Sequence, residues 1–166
     1  MSNLAENTNT YVDIVTQRRE KIINLQEKMV RMLAEDVLPE GKTDFSDQLI
    51  HHFAPNLYAR EMHIPQGQVI VGKIHKHAHV NNISVGKIAV STEFGEVEVY
   101  EAPHQWVSQP GTKRAVLAVE DTIWTTYHPT KETDLSLIEE QVIAKDFEEL
   151  DAMKLPDGTL QIGGTL

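Results

Sequence analysis

The chain has 166 residues, 40% of them hydrophobic, and 25 Asp and Glu against 15 Lys and Arg give a formal charge of −10. That length suits one core with appendages, the acidic balance argues against nonspecific affinity for nucleic acid or anionic membrane, and no apolar run approaches membrane-spanning length. Cysteine is absent, which excludes disulfides, thiolate metal sites and a cysteine nucleophile.

Residues 1–7 show neither a basic n-region nor an apolar h-region, so no secretion signal is expected and the cytoplasm is the expected setting. From about Thr10 to Glu35 the chain is rich in helix formers and free of Gly and Pro. Val15, Ile22 and Met29 recur every seven residues, Tyr11, Leu25 and Met32 fall between them, and Arg18 interrupts one seam position. The spacing predicts an amphipathic helix with two uses open: packing on its own subunit, or pairing with the same helix of a second chain. His51 and His52 follow on a segment read as helix or loop, with structural or surface roles.

From about Asn56 to His128 short strands alternate with turn residues. Gly67 precedes Val69-Ile70-Val71, and Gly86 separates Ile83-Ser84-Val85 from Lys87-Ile88-Ala89-Val90. The run Glu96-Val97-Glu98-Val99-Tyr100-Glu101 alternates polar and apolar residues, as a half-buried strand does. Pro110-Gly111-Thr112 makes a turn before Ala115–Val119, and Glu120-Asp121 leads into Thr122–Tyr127, rich in β-branched and aromatic residues. Many short strands and no alternating helices point to a sandwich or small barrel. After His128-Pro129, Thr133-Asp134 caps a helix within Leu135–Met153, and Pro156-Asp157-Gly158 and Gly163-Gly164 read as turn or tail.

His75, His77 and His79 alternate with other residues, so on a single strand their rings share one side. Neutral imidazole is the commonest side-chain metal ligand. These three, or two of them with His104 or His128, offer nitrogen ligands suited to zinc, iron, nickel or copper; the alternative is a set of barrel-wall residues bonded to their neighbours. Lys113-Arg114 after the Pro-Gly turn offers donors to a carboxylate or phosphate, or else an ion pair with an acid such as Glu120. Trp124 and Tyr127 read as barrel core or wall, and His128 as the end of its strand. No phosphate loop, nucleophile elbow, zinc-finger spacing or dinucleotide fingerprint is present.

Gly67, Lys73, His75, His79 and Gly86 follow the spacing of the first cupin motif, with Lys73 where that motif has its first histidine and His79 where it has its glutamate. Gly95 to Pro110-Gly111-Thr112-Lys113-Arg114 resembles the second motif, with Arg114 near the position of its histidine. The run Gly72–His128 is also similar to small cupin-like proteins of phages and bacteria through Ala102-Pro103 and Ser108-Gln109-Pro110-Gly111-Thr112-Lys113-Arg114. The resemblance implies an all-β core, a cupin-type jelly-roll β-barrel, to which the periodic segments add an N-terminal amphipathic helix and a short C-terminal helical segment. The corresponding parts are residues 1–45, 46–130 and 131–166. It also implies a ligand or metal inside the barrel mouth. In metal-dependent cupins the two motifs supply three histidines and a glutamate. Here two of those positions hold the cations Lys73 and Arg114, which repel a divalent ion unless they point away.

Three functional readings follow, and fold alone does not choose among them. One is a barrel that holds a small anionic molecule through Lys73, His75, His79 and Arg114. Another is a metal-dependent isomerase, dioxygenase or lyase in which His75, His77 and His79 hold zinc, iron, nickel or manganese. The remaining one is a noncatalytic, phage-associated structural or interaction protein. No catalytic residue is assigned. The expected partners are a small-molecule ligand and further copies of the chain, joined through barrel edges and the N-terminal helix, with no nucleic acid and no membrane.

Overall fold

A computed structural model describes residues 3–34 and 48–153. Helix α1 (Asn3–Ala34) is followed by β1 (Leu49–Ala54), β2 (Leu57–Ile64), β3 (Val69–Val71), β4 (Ile74–His75), β5 (His79–Val85), β6 (Lys87–Thr92), β7 (Glu98–Glu101), β8 (His104–Ser108), β9 (Arg114–Ala118) and β10 (Thr122–Pro129). Then come α2 (Leu135–Val142), β11 (Ile143–Ala144) and α3 (Phe147–Ala152).

The strands form antiparallel sheets in the orders β1-β2-β10-β5-β8 and β3-β9-β6-β7, with a separate β4-β11 pair. The pairs β6·β7, β5·β8, β3·β9 and β2·β10 nest inside one another like the two arms of a single long hairpin. Successive pairs fall in alternate sheets, and the β10·β5 and β9·β6 ladders join the wrapped arms. That wrapping is the jelly roll, so the expected all-β core with an N-terminal helix and short C-terminal helices is the fold found. The ladders leave two sheets rather than one closed ring.

Alternation along the strands turns one face of each sheet inward. At one end the inward residues are apolar: Met62, Ile64, Ile83, Ile88, Val90, Val116, Ala118 and Trp124 form the main core. Each such side chain contributes roughly 1.5–3 kcal/mol when fully buried. Toward the other end the same strands change character. Met62 gives way to Arg60 and Tyr58 on β2, Trp124 to Thr126 and His128 on β10, Ile83 to Asn81 and His79 on β5, and Val116 to Arg114 on β9. The apolar end holds the sandwich together and the polar end is left for a site.

Residues 51 and 52 belong to neither helix nor loop. They lie in β1, an edge strand that pairs with β2 from Leu49↔Met62 to Ala54↔Leu57. The hairpin turn is Pro55-Asn56, with Asn56 at φ 60, a conformation that asparagine tolerates well. The Pro55 turn signal masks a preceding strand whose two adjacent histidines face opposite ways.

Helix α1 packs on its own chain. Val15, Arg18, Arg19, Leu25 and Met29 are half-buried and Ile22 is buried, a stripe at helical spacing. Arg18, the residue that breaks the heptad seam, pairs with Glu96, while Arg19 lies 3.7 Å over the Phe147 ring and 3.9 Å from the Glu93 carboxylate. Glu35 and the Met32 side chain lie outside the described residues, as do the turns at Pro156-Asp157-Gly158 and Gly163-Gly164.

The single helix expected within Leu135–Met153 is divided. Asp134 caps α2 by accepting from Ser136 N and Leu137 N. The helix stops where Ile143 and Ala144 pair with His75 and Ile74. Asp146, accepting from Glu149 N at 2.7 Å, then starts α3.

Gly86 makes the β5–β6 turn at φ +83, and a Cβ placed there would meet the Asp121 carbonyl oxygen at 2.1 Å. Gly86→Ala therefore imposes both backbone strain and a clash with main chain, and should cost about 2–4 kcal/mol in urea unfolding with an unchanged m-value. A loss below about 1 kcal/mol would contradict this turn geometry.

Candidate functional site

The polar end of the sandwich encloses a cavity of about 480 Å³. Tyr58 and Arg60 of β2, Thr126 and His128 of β10 and His79 of β5 line it from one sheet, Arg114 of β9 from the other, and His75 of β4 from between. Ile138, Glu139 and Val142 of α2 complete the wall.

His75, His79 and His128 are all buried, and their ring centroids are 4.0 Å (75–79), 5.1 Å (75–128) and 5.0 Å (79–128) apart. Burial is the main cause that disfavours the charged form of each. His75, pushed down furthest, is further opposed by His79, His128, Arg60 and Arg114. His79 is lowered to about 4 and His128 to about 3. All three are therefore neutral at pH 7, with lone pairs to give. One nitrogen from each lies within 4.8 Å of the others. A four-coordinate ion with bonds of about 2.0–2.1 Å would draw such donors to roughly 3.3 Å, a small rotamer adjustment. His75 Nδ1 has no hydrogen-bond partner among the described residues. In the other two rings His79 Nδ1 lies 3.4 Å from the His77 carbonyl and His128 Nε2 3.2 Å from Thr126 Oγ1. Three buried histidines can thus hold a metal ion.

The trio differs from the set suggested by alternation. Residues 76–78 bend between β4 and β5, so His75 and His79 sit on different strands and His77 does not line the cavity. His128 takes the third place, because β10 runs on through Pro129 and keeps residue 128 facing inward. His104 stacks on Tyr100 at 4.6 Å and is no part of the cluster.

Lys73, His75, His79 and Arg114 all line this cavity. Lys73 is at its exposed rim, where its ammonium pairs with Glu139. Arg114 is buried and donates from Nη2 to Ser108 Oγ at 2.6 Å. Asn81, itself fully buried, donates to the same oxygen at 2.8 Å and accepts from Trp124 Nε1 at 3.1 Å. The guanidinium is also 5.9 Å from the Trp124 ring centroid. The ion pair with Glu120 does not form: Glu120 lies 3.5 Å from Lys87 instead. Lys113 turns the other way, its Nζ donating to the Gly72 carbonyl and its backbone N to the buried Glu93. Trp124 joins the core, as expected.

Sequence reasoning missed Arg60. It stands on β2 opposite His51 on one side and Thr126 on the other. Its Nε is buried without a partner, and among the described residues it forms no ion pair. The available signal was a cation at an inward position of the alternating run Tyr58, Arg60, Met62, Ile64. His51 and Tyr58 were also missed: the Tyr58 hydroxyl lies 2.7 Å from His51 Nδ1, and its buried ring stacks on His128 at 6.0 Å.

Strand order and cavity define a jelly-roll protein with a polar, histidine-lined interior, and the solved structures similar to it include cupin-domain proteins. A cupin-2 domain containing protein from Shewanella frigidimarina shares 10% identity over 49% of this chain and 79% of that one, with a TM-score of 0.42. KdgF from Halomonas sp. shares 18% over 52% and 85%, TM-score 0.43. A cupin 2 conserved barrel domain protein from Salinispora arenicola shares 9% over 62% and 92%, TM-score 0.42. No family model matches the sequence, and no curated protein does. Among the described residues no helix is long and apolar enough to cross a membrane.

The histidines give a pH signature. Their folded-state affinities for protons are depressed, so the unfolded chain binds more protons once the pH drops below about 6.5, and stability falls with it. Between pH 6.5 and 5, where most carboxylates remain ionised, each contributes a slope of up to about 1.4 kcal/mol per pH unit. Urea unfolding across that window should show the decline, and His79→Gln should flatten it by about one histidine's share. A flat wild-type profile would mean that these rings are not buried neutral.

Proposed function

We propose that the cavity binds a small anionic molecule, with Arg60 and Arg114 as its main donors, His75 and His79 beside them and Lys73 at the rim. The observation that carries this reading is two guanidinium groups facing the cavity, Arg114 buried and Arg60 half-buried with its Nε out of solvent, neither with a carboxylate partner among the described residues. Arginine stays protonated in proteins, and an unpaired buried charge is expensive. Glu139 acts on Arg60 and Glu93 on Arg114 only from beyond ion-pair distance. Glu139 is already paired with Lys73, and Glu93 already accepts from Lys113 N. A bound anion supplies the missing partner.

A second reading rests on the trio: His75, His79 and His128 hold a divalent ion, for which three neutral nitrogens suit zinc, iron, nickel or copper better than manganese. Such an ion would act as a Lewis acid on an oxygen of the ligand. The two readings support each other, because an anion lying between the guanidiniums and the ion offsets their mutual repulsion. Arg60 and Arg114 would then orient the anion, with the Tyr58 hydroxyl, 2.7 Å from His51 Nδ1, beside them.

Thermal unfolding tests both. Acetate, phosphate or a larger organic anion, at about 100 times its dissociation constant, should raise the midpoint by about 5–10 °C. Acetamide should have no effect, and Arg60→Gln and Arg114→Gln should abolish the shift. If no anion stabilises the wild-type chain, or the variants respond as it does, the binding reading fails. For the ion, zinc should stabilise the untagged wild-type protein and leave His128→Ala unmoved; equal response of the two would remove the trio from consideration.

A further inference from the structure

The two guanidiniums enter the cavity from opposite walls, Arg60 from β2 of one sheet and Arg114 from β9 of the other. Facing sheets pack about 10 Å apart, so a ligand lying between them meets one guanidinium on each wall. Both act on His75 and His79, which places those rings in the field of the two cations together. We propose that the natural ligand is a short dicarboxylate gripped at both ends, one carboxylate on Arg60 and the other on Arg114. This rests on the anion-binding reading above.

Donor count supports the assignment. One planar guanidinium satisfies one carboxylate through two parallel hydrogen bonds. Among the described residues Arg60 Nε has no partner, and Arg114 has only the Ser108 bond from Nη2. A single carboxylate on one of these forks would leave the other facing the cavity uncompensated. Two phosphates would bring about three to four negative charges against the two positive charges of these guanidiniums, and the Lys73 ammonium at the rim is committed to Glu139. Met62 and Ile70 line the same cavity and give a methylene chain an apolar surface to lie on.

The test is calorimetric titration of the full chain with malonate, succinate, glutarate and adipate, each compared with its monomethyl ester, and with pyrophosphate. One diacid should bind at least about tenfold more tightly than its own monoester. Arg60→Gln and Arg114→Gln should each bring that diacid down to the monoester's level, and Arg60→Lys, which keeps the charge without the fork, should recover only part of the difference. The ester comparison needs no variant, so it stands even if a substitution unfolds the protein. Equal binding of diacid and monoester overturns the two-ended grip while leaving anion binding intact. Pyrophosphate binding more tightly than every diacid overturns the carboxylate assignment. Absence of binding by every anion overturns this proposal together with the reading beneath it.

Discussion

The β2–β10 ladder is the constraint on which the remainder of the structure depends. It runs from Leu57↔Pro129 to Ile64↔Thr122 and joins the first and last strands of the nested hairpin. Its register decides what stands beside what: Met62 against Trp124 in the core, then Arg60 against Thr126, then Tyr58 against His128. A slip of one residue would turn every one of these side chains to the opposite face. Core and cavity would be lost by the same error, because they are consecutive stretches of the same inward rows. The flanking ladders extend the pattern, with β1 bringing His51 alongside Arg60 and β5 bringing Asn81 alongside Thr126. Residues from 51 to 128 thus meet in one space through main-chain pairing, before any side-chain attraction is considered.

The electrostatics of that space run against those of the molecule. A chain with a formal charge of −10 turns two guanidiniums toward an internal cavity, without a carboxylate in ion-pair contact among the described residues, beside three imidazoles that burial holds neutral. Desolvation opposes every one of these charges, lowering the proton affinity of Arg60 and Arg114 as well as that of the histidines. Such an arrangement does not stabilise a fold; a row of leucines would pack the same volume at less cost. Its retention makes sense when a partner of opposite charge arrives from outside. Arg114 is also held in place by a dedicated buried chain, Trp124 to Asn81 to Ser108, which fixes the guanidinium while leaving most of its donors unspent.

The fold was legible because its signals are local and repeated: the Gly86 turn, the Pro110-Gly111 turn, and the β-branched run before His128 each mark an element that the structure contains. The Gly-to-Gly spacing around His75 and His79 pointed to residues that line the cavity. Alternation then misled over His77, since it assumes an unbroken strand and residues 76–78 bend. Lys73 was found at the cavity but spends its charge on Glu139, a residue 66 positions away that no local pattern connects to it. Arg60 stayed hidden for the opposite reason: within β2 it is one polar residue among several, and only the long-range pairing shows that its face is the inner one. The division of the last helix was likewise invisible, because Ile143 and Ala144 leave helical geometry to pair with a strand that precedes them by almost seventy residues.

That last pairing ties the appendages to the site. His75 sits on a two-residue strand that could not persist alone, and its main chain is fixed by β11 on one side and by the Gly111 N–H, donated to the His75 carbonyl at 2.8 Å, on the other. Lys76 adds three bonds to the same region: its N–H to the Val142 carbonyl, and its ammonium to the Glu140 carbonyl and to Glu149 of α3. The residues that wall the cavity from α2 therefore belong to the segment that positions one of its three histidines. Arg19 on Phe147 continues the linkage from α3 to the N-terminal helix. Displacing α2 would strain the β11 contact with His75, so the wall of the cavity and the geometry of the histidine trio rest on the same contacts. That is the physical sense in which helices outside the jelly roll belong to the cavity.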